Sequence, residues 1–325
     1  MNPSTPQVHR ATLILACCLG GLVNHAPAAP APAVAPIPTR AWIAELFGSL
    51  KAPIPPRHLV GNIYYVGPSG VSSFLITTPA GHILLDTGFA DSVPVIQRGV
   101  EQLGFKLADI KVMISSHAHV DHVGGHAAMQ KLTGAQVVAS AGDARLLESG
   151  GAEDFLAWPK DTLAFAPVHV DRVVGDGDTV ALGGVTLTAH VTPGHTRGAT
   201  TWTMDVVDGG RTHHVVFFSS TTINPGTSLV LHPAYPGIVA DYEKTFATLK
   251  ALPCDIFFAP HGSQFDLAGK FARQDRGEGV AALVDPHGWH KLLTTVEQAF
   301  RDQLAAERAE AAAETKGAVV KPSSP

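Results

Sequence analysis

The chain has 325 residues, 45% hydrophobic and 16% charged, enough apolar material for a full-sized core in one large domain or two half-domains. A net charge of −5 offers no basic surface for nucleic acid or for an anionic membrane. Seventeen histidines are more than a core of this size needs, so a few are expected to carry chemistry.

At the N-terminus, His9 and Arg10 precede an apolar run, Ala11 to Val23, that is too short to span a bilayer. Small residues follow at Ala26-Pro27-Ala28-Ala29, as a signal peptidase requires, so residues 1–28 are expected to be an export signal and the protein periplasmic. A lipid-attachment site at Cys17 fits less well, because the apolar run before it is very short, and no membrane anchor is expected. Cleavage removes Cys17 and Cys18 and leaves Cys254 alone, so no intrachain disulfide can form. Residues 29–40 belong to a Pro/Ala-rich stretch that predicts an extended, mobile spacer. The folded domain is expected over 41–314, with a disordered tail at 315–325.

Within the domain, Leu59 to Val66, Val71 to Thr78 and His82 to Asp86 read as three strands of an antiparallel meander, joined by Gly-Pro-Ser-Gly and Pro-Ala-Gly turns. Pro94 to Leu103 reads as an amphipathic helix stopped by Gly104. Ile110 to Ser116 predicts a buried strand, and a helix is predicted from His122 to Thr133. A strand at 137–139 and a helix at 142–149 complete this half. The second half repeats the habit with strands at 179–182, 185–191, 200–206 and 213–219, a helix at 239–251 and a strand from Asp255 to Ala259. Pro286 to Leu304 predicts a closing amphipathic helix, and Ala305 to Glu314 an Ala/Glu-rich, solvent-facing extension. Strands and helices arranged twice over predict two sheets packed face to face with helices outside.

Between the strand ending near Ser116 and the following helix lies His117-Ala118-His119-Val120-Asp121-His122-Val123-Gly124-Gly125, with four possible metal ligands in six residues. Imidazoles and a carboxylate suit zinc, and this spacing suits two ions sharing one water better than a structural ion held by Cys pairs. Two more histidines sit in tight turns at strand ends, His195 in Thr192-Pro193-Gly194-His195-Thr196 and His261 in Ala259-Pro260-His261-Gly262. All three segments would open at one edge of the sheets, where α/β folds place their chemistry.

The run at 117–125, the Pro-Gly-His-Thr at 193–196 and the strand-end His261 resemble the metallo-β-lactamase superfamily over residues 55–290. The resemblance implies an α/β fold of the αββα sandwich type, two mixed sheets with helices on the outer faces, and two zinc ions per chain. Hydrolases of the family other than β-lactamases usually carry a metal-bridging Asp at the end of a strand. The matching stretch here, Val215 to Thr222, holds serines instead. With the export signal and the His261-Gly262-Ser263 segment, this is similar to subclass B3. Carried over on those positions, His117, His119 and His195 would hold one zinc, and Asp121, His122 and His261 the other. A hydroxide between the metals, oriented by Asp121, would attack the lactam carbonyl without a covalent enzyme intermediate. Ser220 and Thr222 match substrate-carboxylate positions, with ordinary strand hydroxyls as the other reading. Asp86 matches a residue that orients the ligand loop, a simple turn Asp being its alternative, and Ser115, Ser116 and Ser263 receive no role.

The implied substrate is a small β-lactam, met by a monomer and leading to antibiotic resistance. A lactonase or thioester hydrolase of the same fold, or a non-catalytic zinc-binding protein, are the other readings. Serine-hydrolase chemistry is excluded, since neither Ser-x-x-Lys nor Gly-x-Ser-x-Gly occurs. The export reading predicts that mass spectrometry of the periplasmic fraction finds a chain lacking its first ~25–30 residues. An intact Met1 in a cytoplasmic fraction would contradict it.

Overall fold

The computed structural model describes residues 33–319, and the expected export signal lies outside them. The first sheet contains β1 (Arg57–Val60), β2 (Ile63–Tyr65), β3 (Phe74–Thr78), β4 (Gly81–Leu85), β5 (Ile110–Ile114), β6 (Gln136–Ser140) and β7 (Arg172–Val174), in that order. Its first four strands pair antiparallel, and β4 to β7 run parallel. The second sheet contains β8 (Thr179–Leu182), β9 (Val185–Val191), β10 (Thr200–Asp208), β11 (Arg211–Phe217) and β12 (Ile256–Phe258), ordered β12-β11-β10-β9-β8. Only β11 and β12 are parallel in it, so both sheets are mixed.

Nine α-helices cover the described residues: α1 (Arg40–Ser49), α2 (Val93–Gln102), α3 (Val120–Val123), α4 (His126–Thr133), α5 (Ala141–Ser149), α6 (Lys160–Leu163), α7 (Ile238–Ala251), α8 (Leu267–Asp275) and α9 (Pro286–Val319). Successive strand residues point to opposite faces, and the first sheet is buried on both. Phe74, Ile76, Ile83, Leu85, Val112 and Ile114 face the second sheet, where they meet Trp202, Phe217 and Phe258. The intervening Leu75, Leu84 and Met113 face the other way and pack against Val93, Ile96 and Val100 of α2 and Met129 of α4. This layering is the expected α/β sandwich. No helix among the described residues is long and apolar enough to cross a membrane.

Four expectations change. The strand expected over 59–66 is two strands, because Gly61 turns the chain at φ 54° and folds β2 back on β1. The helix expected over 122–133 is broken at Gly124-Gly125, where a side chain on Gly125 would come within 2.8 Å of the Thr87 carbonyl. The end of the spacer is tied down, since the Ala35 carbonyl accepts from Gly226 N–H and Thr39 caps α1.

The last correction is the largest. Helix α9 runs to Val319, and Glu307, expected to face solvent, is fully buried. Its carboxylate accepts from the Ser228 hydroxyl (2.8 Å), from the N–H groups of Leu229, Val230 and Leu231 (2.7–3.1 Å), and from Gln303. It thereby satisfies three backbone N–H groups within a long segment, residues 218–237, that has no regular structure of its own. Burial opposes its ionisation, but these donors hold the carboxyl below the usual glutamate range. Its stabilisation is therefore present at neutral pH and is lost as the pH falls through and below that range. Glu307→Gln replaces an acceptor by a donor facing N–H groups and should destabilise the protein by about 3 kcal/mol at pH 7. Denaturant unfolding at pH 7 and pH 4 checks both points, the gap between variant and parent being smaller at pH 4.

Candidate metal centre

The donors lie beyond the ends of three strands, β5, β9 and β12. His117 and His119 follow β5, and Asp121 and His122 sit in the single turn of α3. His195 follows β9, and His261 follows β12 directly ahead of a 3-10 turn at Gly262–Phe265. The structure brings all six together. Ligand atoms of His117, His119 and His195 lie within 4.8 Å of one another, and so do those of Asp121, His122 and His261. The two sets adjoin, with the His117 and His122 rings 4.2 Å apart between centroids.

Hydrogen bonds on the outer side of the cluster decide which imidazole nitrogen stays free. His195 donates from Nδ1 to the Thr222 carbonyl (2.6 Å), and His261 Nδ1 faces the Gly70 carbonyl at 3.2 Å. The Ser116 hydroxyl donates to Asp86 Oδ2 (2.6 Å) and so is left to accept from His117 Nδ1 at 3.2 Å. In each case Nε2 keeps its lone pair for the interior of the cluster. His122 is fully buried with neither ring nitrogen hydrogen-bonded, its Nδ1 being 3.7 Å from Asp86 and its Nε2 3.2 Å from Asp121. A buried ring nitrogen without a partner is costly, and a cation between His122, Asp121 and His261 would take up the Nε2 lone pair.

The electrostatics fit a cation as well. Burial, with the neighbouring imidazoles, pushes His119 and His261 down to about 4 and His195 down to about 3, and holds His117 well below its usual value. All four are therefore neutral near pH 7 and able to donate lone pairs. For His122, burial is outweighed by Asp121 and Asp86, which raise it. Asp121 is held far below the carboxylate range because the surrounding imidazoles outweigh its burial. Four neutral imidazoles and one ionised carboxylate, with His122 beside it, suit zinc or a similar divalent ion.

Asp86 follows β4 in the left-handed region (φ 59°), which Asp tolerates better than most residues. Its carboxylate accepts from Ser116 N–H (2.7 Å) as well as from the Ser116 hydroxyl, which pins the start of the ligand loop. Burial raises it to about 6, against the pull of His122 and Ser116. This settles the two serines before the loop: Ser116 links Asp86 to His117, and the Ser115 carbonyl accepts from Trp202 Nε1. Ser263 is exposed in the 3-10 turn.

Strand β11 ends at Phe217, not near Thr222, because its pairing with β12 stops at Phe258. Ser220 is buried just beyond, with its hydroxyl only weakly engaged by Thr222 N–H (3.4 Å), while the Thr222 side chain is exposed. Thr222 acts on the cluster through its carbonyl, which also accepts from Tyr242 (3.1 Å). Cys254 lies before β12, outside both donor sets, and burial pushes its thiol up to about 12.

One residue that the sequence did not single out organises the cluster. Asp143, in the first turn of α5, accepts from Ala118 N–H (2.8 Å) and Gly198 N–H (3.1 Å), joining the loop of His117 and His119 to the turn after His195. An Asp at a helix start carries no such signal in sequence, because capping accounts for it.

Comparison with known proteins agrees with this geometry. The family model described as the metallo-beta-lactamase superfamily matches residues 66–261. The native FEZ-1 metallo-beta-lactamase from Legionella gormanii is 39% identical, with a TM-score of 0.76, over 78% of this chain and 97% of that one. BJP-1, a subclass B3 metallo-beta-lactamase of Bradyrhizobium japonicum, is 41% identical with a TM-score of 0.74, over 80% of this chain and 97% of that one. A hydroxyacylglutathione hydrolase of a Bradyrhizobium species is 30% identical over 183 residues, 56% of this chain and only 58% of that relative's length. Sheet order, the two donor sets and these likenesses together place the chain in the metallo-β-lactamase superfamily.

Proposed function

We propose that this protein is a zinc-dependent β-lactamase that opens the ring amide of penicillins, cephalosporins or carbapenems. The observation that carries the reading is the two adjoining three-donor sets beside the segment that follows β11, Phe218 to Thr222, which holds hydroxyls and no carboxylate. His117, His119 and His195 would hold one zinc, and Asp121, His122 and His261 a second. When bound, the metals supply an activated water and Lewis-acid sites for the carbonyl oxygen and the departing nitrogen.

The chain's own residues do the rest. Asp121 turns Oδ2 toward His122 (3.2 Å) and His261 (3.6 Å), which leaves Oδ1 to accept from a water entering the cluster and to orient it. The hydroxyls of Ser220 and Thr222 would bind the carboxylate that every bicyclic β-lactam carries. Asp86 and Asp143 hold the ligand loop so that the donors need not reorganise during the reaction. With the export signal expected over residues 1–28, the enzyme would work in the periplasm and confer β-lactam resistance.

The rival reading, a glutathione thioester hydrolase, draws on the partial-length relative. Recognition of glutathione carboxylates calls for basic side chains at the cleft, for which the sequence offers Arg197 and Lys270. Lys270 is buried against Phe257 and faces Asp285. Arg197 stacks on Tyr235 and donates to the Ala234 carbonyl. Lys270 is therefore withdrawn from that task, and Arg197 alone is no basic patch.

Metal analysis of dialysed protein should approach two equivalents of zinc. Assay on a panel of lactams, a lactone and a glutathione thioester should show turnover of at least one lactam, lost with a chelator, restored by zinc and insensitive to clavulanate. Turnover of only the lactone or the thioester would overturn the lactam reading. Asp121→Ala should lower kcat by about 100-fold or more while the metal-free protein still folds. Near-normal turnover in that variant would remove Asp121 from the mechanism.

A further inference from the structure

Helix α7 meets three consecutive residues of the turn that carries His195. Thr245 Oγ1 donates to the Pro193 carbonyl (2.7 Å). The Tyr242 ring lies against Gly194, where a side chain would come within 2.9 Å of it. Gly194 also takes φ 136°, a conformation that favours glycine, so the turn and the ring fit only without a side chain there. His195 is met indirectly: the Tyr242 hydroxyl donates to the Thr222 carbonyl (3.1 Å), which also accepts from His195 Nδ1 (2.6 Å). Tyr242 and Thr245 lie three residues apart, on one face of the helix, and both are buried.

The Thr222 peptide needs such a partner. It belongs to the irregular segment after β11, and its own N–H has only the weak contact with the Ser220 hydroxyl (3.4 Å). The two lone pairs of its carbonyl are taken by His195 and Tyr242. Of these two donors, Tyr242 stands on a packed helix. Its ring lies 6.2 Å from that of Phe246 and 5.2 Å from that of Phe300 of α9, between centroids. Burial pushes its phenol above the usual tyrosine range, so the hydroxyl keeps its proton and remains a donor.

We propose that Tyr242 is a positioning residue for His195: its hydroxyl fixes the direction of the Thr222 carbonyl and its ring seats Gly194, so that Nε2 of His195 is aimed into the first donor set before a metal arrives. The proposal rests on the metal-centre reading and adds to it a residue of α7 that touches no metal ligand through its own hydroxyl.

Tyr242→Phe isolates the hydroxyl. The ring stays against Gly194, Phe246 and Phe300, and the Thr222 carbonyl still accepts from His195, so no buried acceptor is orphaned. The melting temperature of the metal-free variant is therefore expected to match the parent's. In zinc-loaded, histidine-labelled protein, proton–nitrogen NMR should show the His195 Nδ1 proton exchanging with solvent faster than in the parent. Chelator competition should show one zinc equivalent held about 10-fold more weakly, the low end of what outer partners of metal-bound imidazoles contribute. Unchanged exchange overturns the proposal, and so does unchanged affinity. A lower melting temperature with both equivalents weakened also overturns it, because it assigns Tyr242 to the packing of α7. His195→Ala separates the two levels: if it binds both equivalents undiminished, the metal-centre reading itself fails. If it loses one equivalent while Tyr242→Phe behaves as the parent, only the role of Tyr242 fails.

Discussion

An imidazole offers a lone pair to a cation only while it is uncharged, and five imidazoles gathered around one carboxylate would repel one another if protonated. Burial supplies the constraint that makes the cluster possible. It holds His117, His119, His195 and His261 neutral near pH 7, while the imidazoles around Asp121 outweigh its own burial and keep it the ionised group among them. The two-sheet core serves that end. Strands with apolar faces in the core stop near one another, and the turns beyond them hold most of the donors buried.

Irregular backbone next to such a cluster needs partners for its own N–H groups, and buried carboxylates provide them. Asp86 joins the end of β4 to the end of β5, Asp143 joins the loop after β5 to the turn after β9, and Glu307 gathers Leu229 to Leu231. Each accepts from N–H groups of a segment distant in the chain. The arrangement resembles a set of staples across loops that have no ladder of their own. Asp86 and Asp143 are raised, to about 6 and about 7, because their burial outweighs their donors. Glu307 is lowered, because its donors outweigh its burial.

Much of the sandwich was legible in the sequence, because its strands are short apolar runs bounded by Gly and Pro turns, and the layers follow from where those runs fall. The six donors were legible as strand-end histidines and a His-x-His-x-Asp-His run, a pattern that few other demands produce. What escaped were features set by distant partners. Asp143 and Glu307 look like ordinary surface acids on helices, and only the fold brings Ala118, Gly198 and residues 228–231 to them. Thr222 was singled out for its hydroxyl, whereas the structure engages its carbonyl, which no side-chain pattern reports. The turn at Gly61 was missed because the apolar residues on either side of it, Leu59, Val60 and Ile63, read as one strand.

The carbonyl of Thr222 has a consequence for how this protein can change. His195 is oriented by main chain, as His261 is by the carbonyl of Gly70, and a carbonyl survives replacement of the side chain that follows it. The exposed Thr222 side chain can therefore vary, altering what the rim of the cluster meets, while the histidine behind it keeps its aim. Ser116 allows no such freedom, since its hydroxyl lies between His117 and Asp86 and is lost with the residue. Variation in a lineage of such proteins should accordingly collect at the rim beyond β11 and be sparse at the base of the loop after β5, so that selectivity drifts while the ligand set stays intact.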